Sequence, residues 1–259
     1  MNTAQIDFFD IPIDRLTQRT LELRLSQALD ELGQVLIATP NPEMLLAAHQ
    51  DEDIARILRR MHMRIPDGFG LSLLSRLTGQ GTLRRFPGVD VLLDICRLAG
   101  QRNMHLLIIG GWGEDSARAS TILETAFPGL RVSSLSDMRI HWDLDEWNQP
   151  GDLLSRVQQL APDVLAIALG GAGYSRQERW IVDHAPQFPS VRVAIGVGGA
   201  VDMISGRIMR APIWMRAIGL EWLWRVLRQP SRIHRIYDAV IRFPIAAILD
   251  RLTATRGDR

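Results

Sequence analysis

Lysine is missing from this chain, and cysteine occurs once. All 30 basic residues are arginine, whose planar guanidinium suits bidentate contacts to phosphate and carboxylate. Cys96, inside an apolar run, has no partner for an internal disulfide, which points to a reducing compartment. No apolar run approaches the ~20 residues of a membrane span. The N-terminus "MNTAQIDFFDIPIDRL" has neither the basic start nor the apolar core of a secretion signal, so a cytoplasmic location is expected. There is no G-x-S-x-G elbow, P-loop or cysteine–histidine signature, and so no support for a nucleophilic hydrolase or a kinase-like enzyme. The histidines at 49, 62, 105, 141, 184 and 234 show no ligand spacing. A metal site is not expected.

What is present fits one large α/β domain, or a domain of about 200 residues with an appendage. Apolar residues make up 46% of the 259 and charged residues 23%, ordinary values for a globular protein. The net charge of +1 conceals an asymmetry. Residues 206–259 hold eleven arginines against four acids, +7, whereas residues 1–205 carry −6. Three of the seven tryptophans, Trp214, Trp222 and Trp224, also fall in the basic tail. Arginine mixed with amphipathic aromatics suits an anionic membrane surface or a polyanion. Nucleic acid is not expected as the partner, because the acidic main part would repel it.

Short apolar runs, each followed by turn residues and a helical pattern, recur along the chain. "QVLIATPNP", "MRIPDGFG", "MHLLIIGGWG", "LRVSSLSD", "PDVLAIALGGAG" and "VRVAIGVGGA" read as strands, and the alternation predicts a Rossmann-like, mostly parallel sheet of about six strands with helices on both faces. Its ligand crevice lies at the carboxyl ends of the strands, and Thr39, Asn41, Asp67, Gly110, Gln177 and Asp202 all follow strands. That placement predicts one polar edge. A single helix is expected from about Pro42 to Arg60, so that Asp51 and Asp53 lie on a solvated helix face. The other D-x-D triplet, Asp143 to Asp145, is a weak candidate for holding a diphosphate through a cation. After Gly206 the strand pattern stops and amphipathic helices follow, which sets the expected boundary between a domain at 1–205 and a helical, arginine-rich appendage at 206–259. Arg225, Arg228, Arg232 and Arg235 would share one helix face if Pro230 did not intervene.

Two local features admit more than one reading. Asp67, between Pro66 and Gly68, precedes a run with helical leucine spacing, so by itself it reads as a helix cap as well as a candidate base. The turn Gly110 to Gly113, "GGWG", resembles a dinucleotide fingerprint only loosely, because the G-x-G-x-x-G spacing is absent. A tight strand-to-helix turn accounts for it. A nucleotide diphosphate could equally rest on the helix start there, and Gly110, Gly111, Gly198 and Asp202 are the corresponding nucleotide-binding candidates. A non-catalytic nucleotide- or polyanion-binding protein is the competing reading, and an NAD-dependent oxidoreductase a third.

The blocks "TPNPEMLLAA" (39–48), "PDGFGL" (66–71), "RFPGVD" (85–90), "IIGG" (108–111), "RQE" (176–178), "GVGGAVDMISGRIMRAP" (196–212) and "GLEWLWRVLRQPSR" (219–232) occur in unbroken order. Together they resemble the WecG/TagA/CpsF family, glycosyltransferase family 26, over roughly residues 30–240. The resemblance implies an inverting, cofactor-free and metal-independent enzyme. It would move a hexose, of the N-acetylmannosamine, uronic acid or glucose type, from a UDP-sugar to an undecaprenyl-diphosphate-linked sugar during cell-envelope or exopolysaccharide synthesis. The implied partners are the UDP-sugar, the lipid-linked acceptor and the inner face of the cytoplasmic membrane, and a homo-oligomer is compatible with it. Residue by residue, it implies Asp67 as the general base. Thr39, Asn41 and Gln177 are the implied substrate-binding residues, with Arg225, Arg232 and Arg235 completing the site from the docked tail. Arg85 and Asp90 match an R-x-x-G-x-D block with a substrate or structural role. One departure is Ser175, where the family usually has proline before its basic-Q-E triplet. With these blocks added, the base reading of Asp67 is favoured over the cap, and the two are compatible.

Overall fold

The computed structural model describes residues 5–31, 33–136, 140–143, 146–169, 175–228 and 233–257. Six parallel strands form the central sheet: β3 (Val35–Ala38), β4 (Met63–Arg64), β5 (His105–Gly110), β6 (Arg131–Leu135), β9 (Val164–Ala168) and β10 (Val193–Gly196), in the order β4-β3-β10-β9-β5-β6. Two antiparallel hairpins not foreseen in the sequence flank it, β1 (Gln5–Phe8) with β2 (Ile11–Asp14), and β7 (His141–Asp143) with β8 (Glu146–Asn148).

The near-continuous apolar runs of the strands follow from burial on both faces. In β5, Leu107 and Ile109 enter one core while Leu106 and Ile108 enter the other. The first core is covered by α2 (Pro42–Gln50), α3 (Glu52–Arg60), α4 (Phe69–Leu77), α7 (Leu153–Leu160) and α8 (Arg176–His184). The second is covered by α1 (Gln18–Asp30), α5 (Gly88–Gly100), α6 (Asp115–Ala126) and α9 (Ala200–Ile204). This is the expected α/β architecture with helices on both faces.

The single helix expected over 42–60 is two. Its break falls at Asp51, which leaves helical geometry and whose side chain caps α3 by accepting from the Asp53 amide at 2.9 Å. Asp53 is no bystander on a solvated face either, because its carboxylate pairs with Arg179 of α8 and with Arg56. The hairpin β1–β2 is fixed to the sheet edge by Asp14, fully buried, which accepts the backbone N–H of Arg64 at 2.8 Å and lies 3.3 Å from Arg24.

The C-terminal segment forms α10 (Ile213–Ala217), α11 (Glu221–Arg228) and a long helix that starts as α12 (Ile233–Tyr237), widens into one π turn (Asp238–Arg242) and continues as α13 (Phe243–Gly257). Phe243 is fully buried and packs its ring against Phe8 and Phe9, with centroids 5.8 and 6.0 Å away. The tail thus closes over the first core through an aromatic contact to β1–β2. Among the described residues, no helix is long and apolar enough to cross a membrane.

Candidate active site

The loops after β3 and β4 are tied together by their backbones. The amide of Ile65 donates to Ala38 O and that of Asp67 to Pro40 O, both at 2.9 Å, and the amide of Phe86 donates to Pro66 O at 2.9 Å. Thr39, Asn41, Asp67 and Arg85 are therefore brought to one end of neighbouring strands. Asp67 does not cap the helix that follows it. The N-cap of α4 is Gly68, at φ +105, and no side chain serves it. The Asp67 Oδ2 instead accepts the backbone N–H of Gly88, the first residue of α5, at 3.3 Å. The carboxylate thus faces the start of a different helix, whose dipole favours negative charge. Gly88 leaves room for this approach, since a Cβ there would stand 3.1 Å from the Thr39 hydroxyl. Asn41 caps α2, its Oδ1 accepting from Met44 at 2.9 Å. Arg85 Nε stands 3.9 Å from Asp67 Oδ1.

Strand β10 neighbours β3 in the sheet, and its tip is held by α8. The Gln177 side chain accepts the Gly198 amide at 2.6 Å. Beneath it Glu178 is 1% exposed, its Oε2 has no hydrogen-bond partner among the described residues, and a Cβ on Gly196 would stand 2.7 Å from its Oε1. Burial pushes the Glu178 carboxyl up to about 7, because removal from water penalises the charged form. Ser175, where the family resemblance led us to expect proline, has φ +62. Proline, locked near −65°, could not adopt that conformation.

The tail reaches the same end of the sheet. Glu221, buried at the start of α11, pairs with Arg85, and its other oxygen lies 3.8 Å from Arg210 Nε. Arg210 in turn grips Asp90 of α5 with two bonds of 2.6 Å. Asp90 is thereby engaged in a protein ion pair. Arg235 on α12 donates to Glu43 in the first turn of α2 at 2.6 Å. Arg225 is on α11, and Arg232 lies outside the described residues. The four-arginine stripe does not fall on one described helix, since α11 ends at Arg228, which stacks on Trp224, and α12 begins at Ile233.

The glycine candidates form a second group. Gly110 and Gly111 have φ +94 and +90 at the end of β5, and a Cβ on Gly110 would approach the Ala168 carbonyl oxygen to 2.6 Å. Asp202 on α9 pairs with Arg207 at 2.5 Å, which also holds Asp115 of α6 at 2.5 Å. The ring of Trp112, which follows Gly111, is exposed. Gly110 and Gly111 stand at the tip of β5, two places along the sheet from β10, whose tip carries Gly198.

Sequence reasoning overlooked Glu178, Arg210 and Glu221, although all three lie within or beside the quoted blocks. For Glu221, in "AIGLEWLW", the available signal was a charged residue inside an otherwise apolar stretch; Glu178, in "SRQERW", carries no such signal. Among the described residues no three His, Cys, Asp or Glu side chains gather as cation ligands, and Asp145 of the second D-x-D triplet lies outside them. Cys96 is buried, and burial pushes its thiol up to about 12.

The chain is similar to three enzymes each described as an N-acetylglucosaminyldiphosphoundecaprenol N-acetyl-beta-D-mannosaminyltransferase. The protein of Bacillus subtilis (strain 168) is 29% identical over 209 residues, covering 80% of this chain and 77% of the relative. That of Bacillus spizizenii is 28% identical over 236 residues, covering 91% and 87%. That of Staphylococcus aureus (strain MRSA252) is 26% identical over 237 residues, covering 91% and 89%. Residues 6–257 match the pattern of the glycosyl transferase WecG/TagA/CpsF family. With nearly its whole length matched, the chain belongs to that family and is a glycosyltransferase.

Proposed function

We propose that this chain transfers N-acetylmannosamine, with inversion, from a UDP-linked donor to an N-acetylglucosamine carried on undecaprenyl diphosphate, at the cytoplasmic face of the membrane during cell-envelope or exopolysaccharide synthesis. The sugar and acceptor are those in the relatives' names. The observation that carries the reading is the position of Asp67, at converging strand ends beside Thr39, with Arg85 adjacent.

Inverting transfer needs the acceptor hydroxyl to lose its proton while its oxygen attacks the anomeric carbon and UDP departs. Asp67 takes that proton. Thr39 and Asn41 orient the sugars from the tip of β3 and Gln177 from the first turn of α8. Charge growing on the departing diphosphate is met by guanidinium groups, with Arg225, Arg232 and Arg235 supplied by the tail, and no metal ion is required. Gly110, Gly111, Gly198 and Asp202 line the nucleotide end. The exposed apolar side chains of α13, Ile245, Ile248, Leu249 and Leu252, together with the tail's positive charge, suit an anionic bilayer surface. Residues 1–205 thus act as the catalytic domain and residues 206–259 as its membrane-associating appendage.

The test is incubation of the purified chain with UDP-N-acetylmannosamine and the lipid-linked acceptor, with and without EDTA. Formation of the lipid-linked disaccharide in both is expected. Failure with a panel of UDP-sugars would overturn the reading.

A further inference from the structure

Helix α4 starts two residues after Asp67 and presents opposite faces to different surroundings. Leu71 and Leu74 are buried in the first core. Phe69, Leu73 and Leu77 are 44%, 44% and 73% exposed. These three stand at i, i+4 and i+8, which places them in one row on the outer side of the helix, about 12 Å long at 1.5 Å per residue. The row begins at the catalytic edge. The ring of Phe69 lies so close to Gly219 that a Cβ there would stand 2.4 Å from it, and Gly219, at φ +79, belongs to the turn after α10. Ile213, Trp214 and Ile218 of that segment are exposed as well. The charged end of the row is the Arg85–Glu221–Arg210 cluster beside Asp67.

A row of large apolar side chains that starts beside the proposed base fits a substrate whose reacting hydroxyl is carried on a long hydrocarbon chain. We propose that the outer row of α4 is the track for the first isoprene units of the polyprenyl-diphosphate acceptor, with Phe69 nearest the head group and Leu73 and Leu77 contacting the chain. This rests on the transferase reading for the identity of the lipid. The acceptor's hydroxyl must reach Asp67 while its chain remains in hydrocarbon. A strip on a rigid helix of the catalytic domain meets both needs without relying on the tail. Its burial by lipid also accounts for why three large apolar residues occupy an exposed face.

The probes are farnesyl diphosphate and inorganic diphosphate, measured for binding to the full chain by tryptophan fluorescence. The wild type is expected to bind farnesyl diphosphate at least tenfold more tightly than inorganic diphosphate, about the value of burying one leucine side chain. In Leu73→Ser/Leu77→Ser that preference falls to less than threefold, while inorganic diphosphate binds as before. Leu73→Met/Leu77→Met retains it. Both leucines are exposed, so the fold tolerates these changes, and circular dichroism checks this. An unchanged preference in the serine variant overturns the track, as does a wild type that does not discriminate. Loss by the serine variant of binding to acceptor-free anionic vesicles also overturns it, by making the row a general bilayer contact. If the wild type transfers no sugar yet shows the farnesyl preference and the serine variant loses it, the transferase reading fails and the track stands.

Discussion

Glu221, at the head of a helix in the C-terminal segment, neutralises Arg85, whose Nε stands 3.9 Å from the proposed base Asp67. One carboxylate of the tail thus offsets the arginine charge beside the proposed base. Glu221→Gln leaves Arg85 and Arg210 without their shared partner. Removing one member of a fully buried pair costs about 3 kcal/mol, and the cost here is smaller because Arg85 is only partly buried and keeps Asp67 beside it. The variant is expected to melt at lower temperature and to transfer sugar at least tenfold more slowly, as measured by thermal denaturation and the transfer assay.

Asp67→Asn retains an oxygen able to accept from the Gly88 amide and removes the base. General base catalysis contributes roughly 10²- to 10⁴-fold. Turnover is expected to fall by about that range with little change in donor binding or melting temperature. Near wild-type turnover would remove Asp67 from the chemistry.

The buried carboxyl of Glu178 makes stability pH-dependent. Its folded-state value of about 7 lies above the ordinary 4.5, so the folded chain holds a proton that the unfolded chain releases. This contribution is fully present below about 4.5 and is lost as pH rises through about 7. Burial lowers His62, His105 and His184, and these act in the opposite sense, costing stability as pH falls below their ordinary value. The difference between wild type and Glu178→Gln isolates the glutamate. Thermal melts from pH 5 to 8 are expected to show the variant gaining on the wild type as pH rises.

Phe243 fastens the tail to the β1–β2 hairpin. Phe243→Ala removes a fully buried ring at a cost of about 3 kcal/mol, measurable by urea denaturation. Its expected companion effect is weaker co-sedimentation with anionic vesicles, because the long helix loses its anchor. Truncation before residue 206 is expected to leave the sheet folded and to abolish transfer.

The six sheet strands were legible because burial on both faces writes an unbroken apolar run, as in "HLLIIG" of β5, where every residue is buried. The hairpin β1–β2 was not. Its strands are four residues each, and its turn is made by Phe9 and Asp10 at φ +54 and +57, without the Asn-Gly or Asp-Gly pair that marks such turns. The break at Asp51 escaped notice because the apolar spacing continues across it. Of the proposed site, Thr39, Asn41, Asp67 and Gln177 stand out in the sequence because each follows a strand, and the ordered blocks that carry the family resemblance supply their proposed roles. Arg210 and Glu221 do not stand out in the sequence because their partners Asp90 and Arg85 are distant along the chain, and Glu178 does not because its burial is set by the tertiary packing around it.

The chain by itself determined the α/β layering, the sheet edge that carries the polar residues and the arginine-rich character of the tail, since these follow from hydrophobic period and from composition. Which helix Asp67 serves, and which acid balances Arg85, was decided only by tertiary structure. A local pattern tells that a carboxylate can cap a helix. Only the meeting of the β4 loop with the start of α5 turns Asp67 away from its own helix toward Gly88 and the proposed acceptor site.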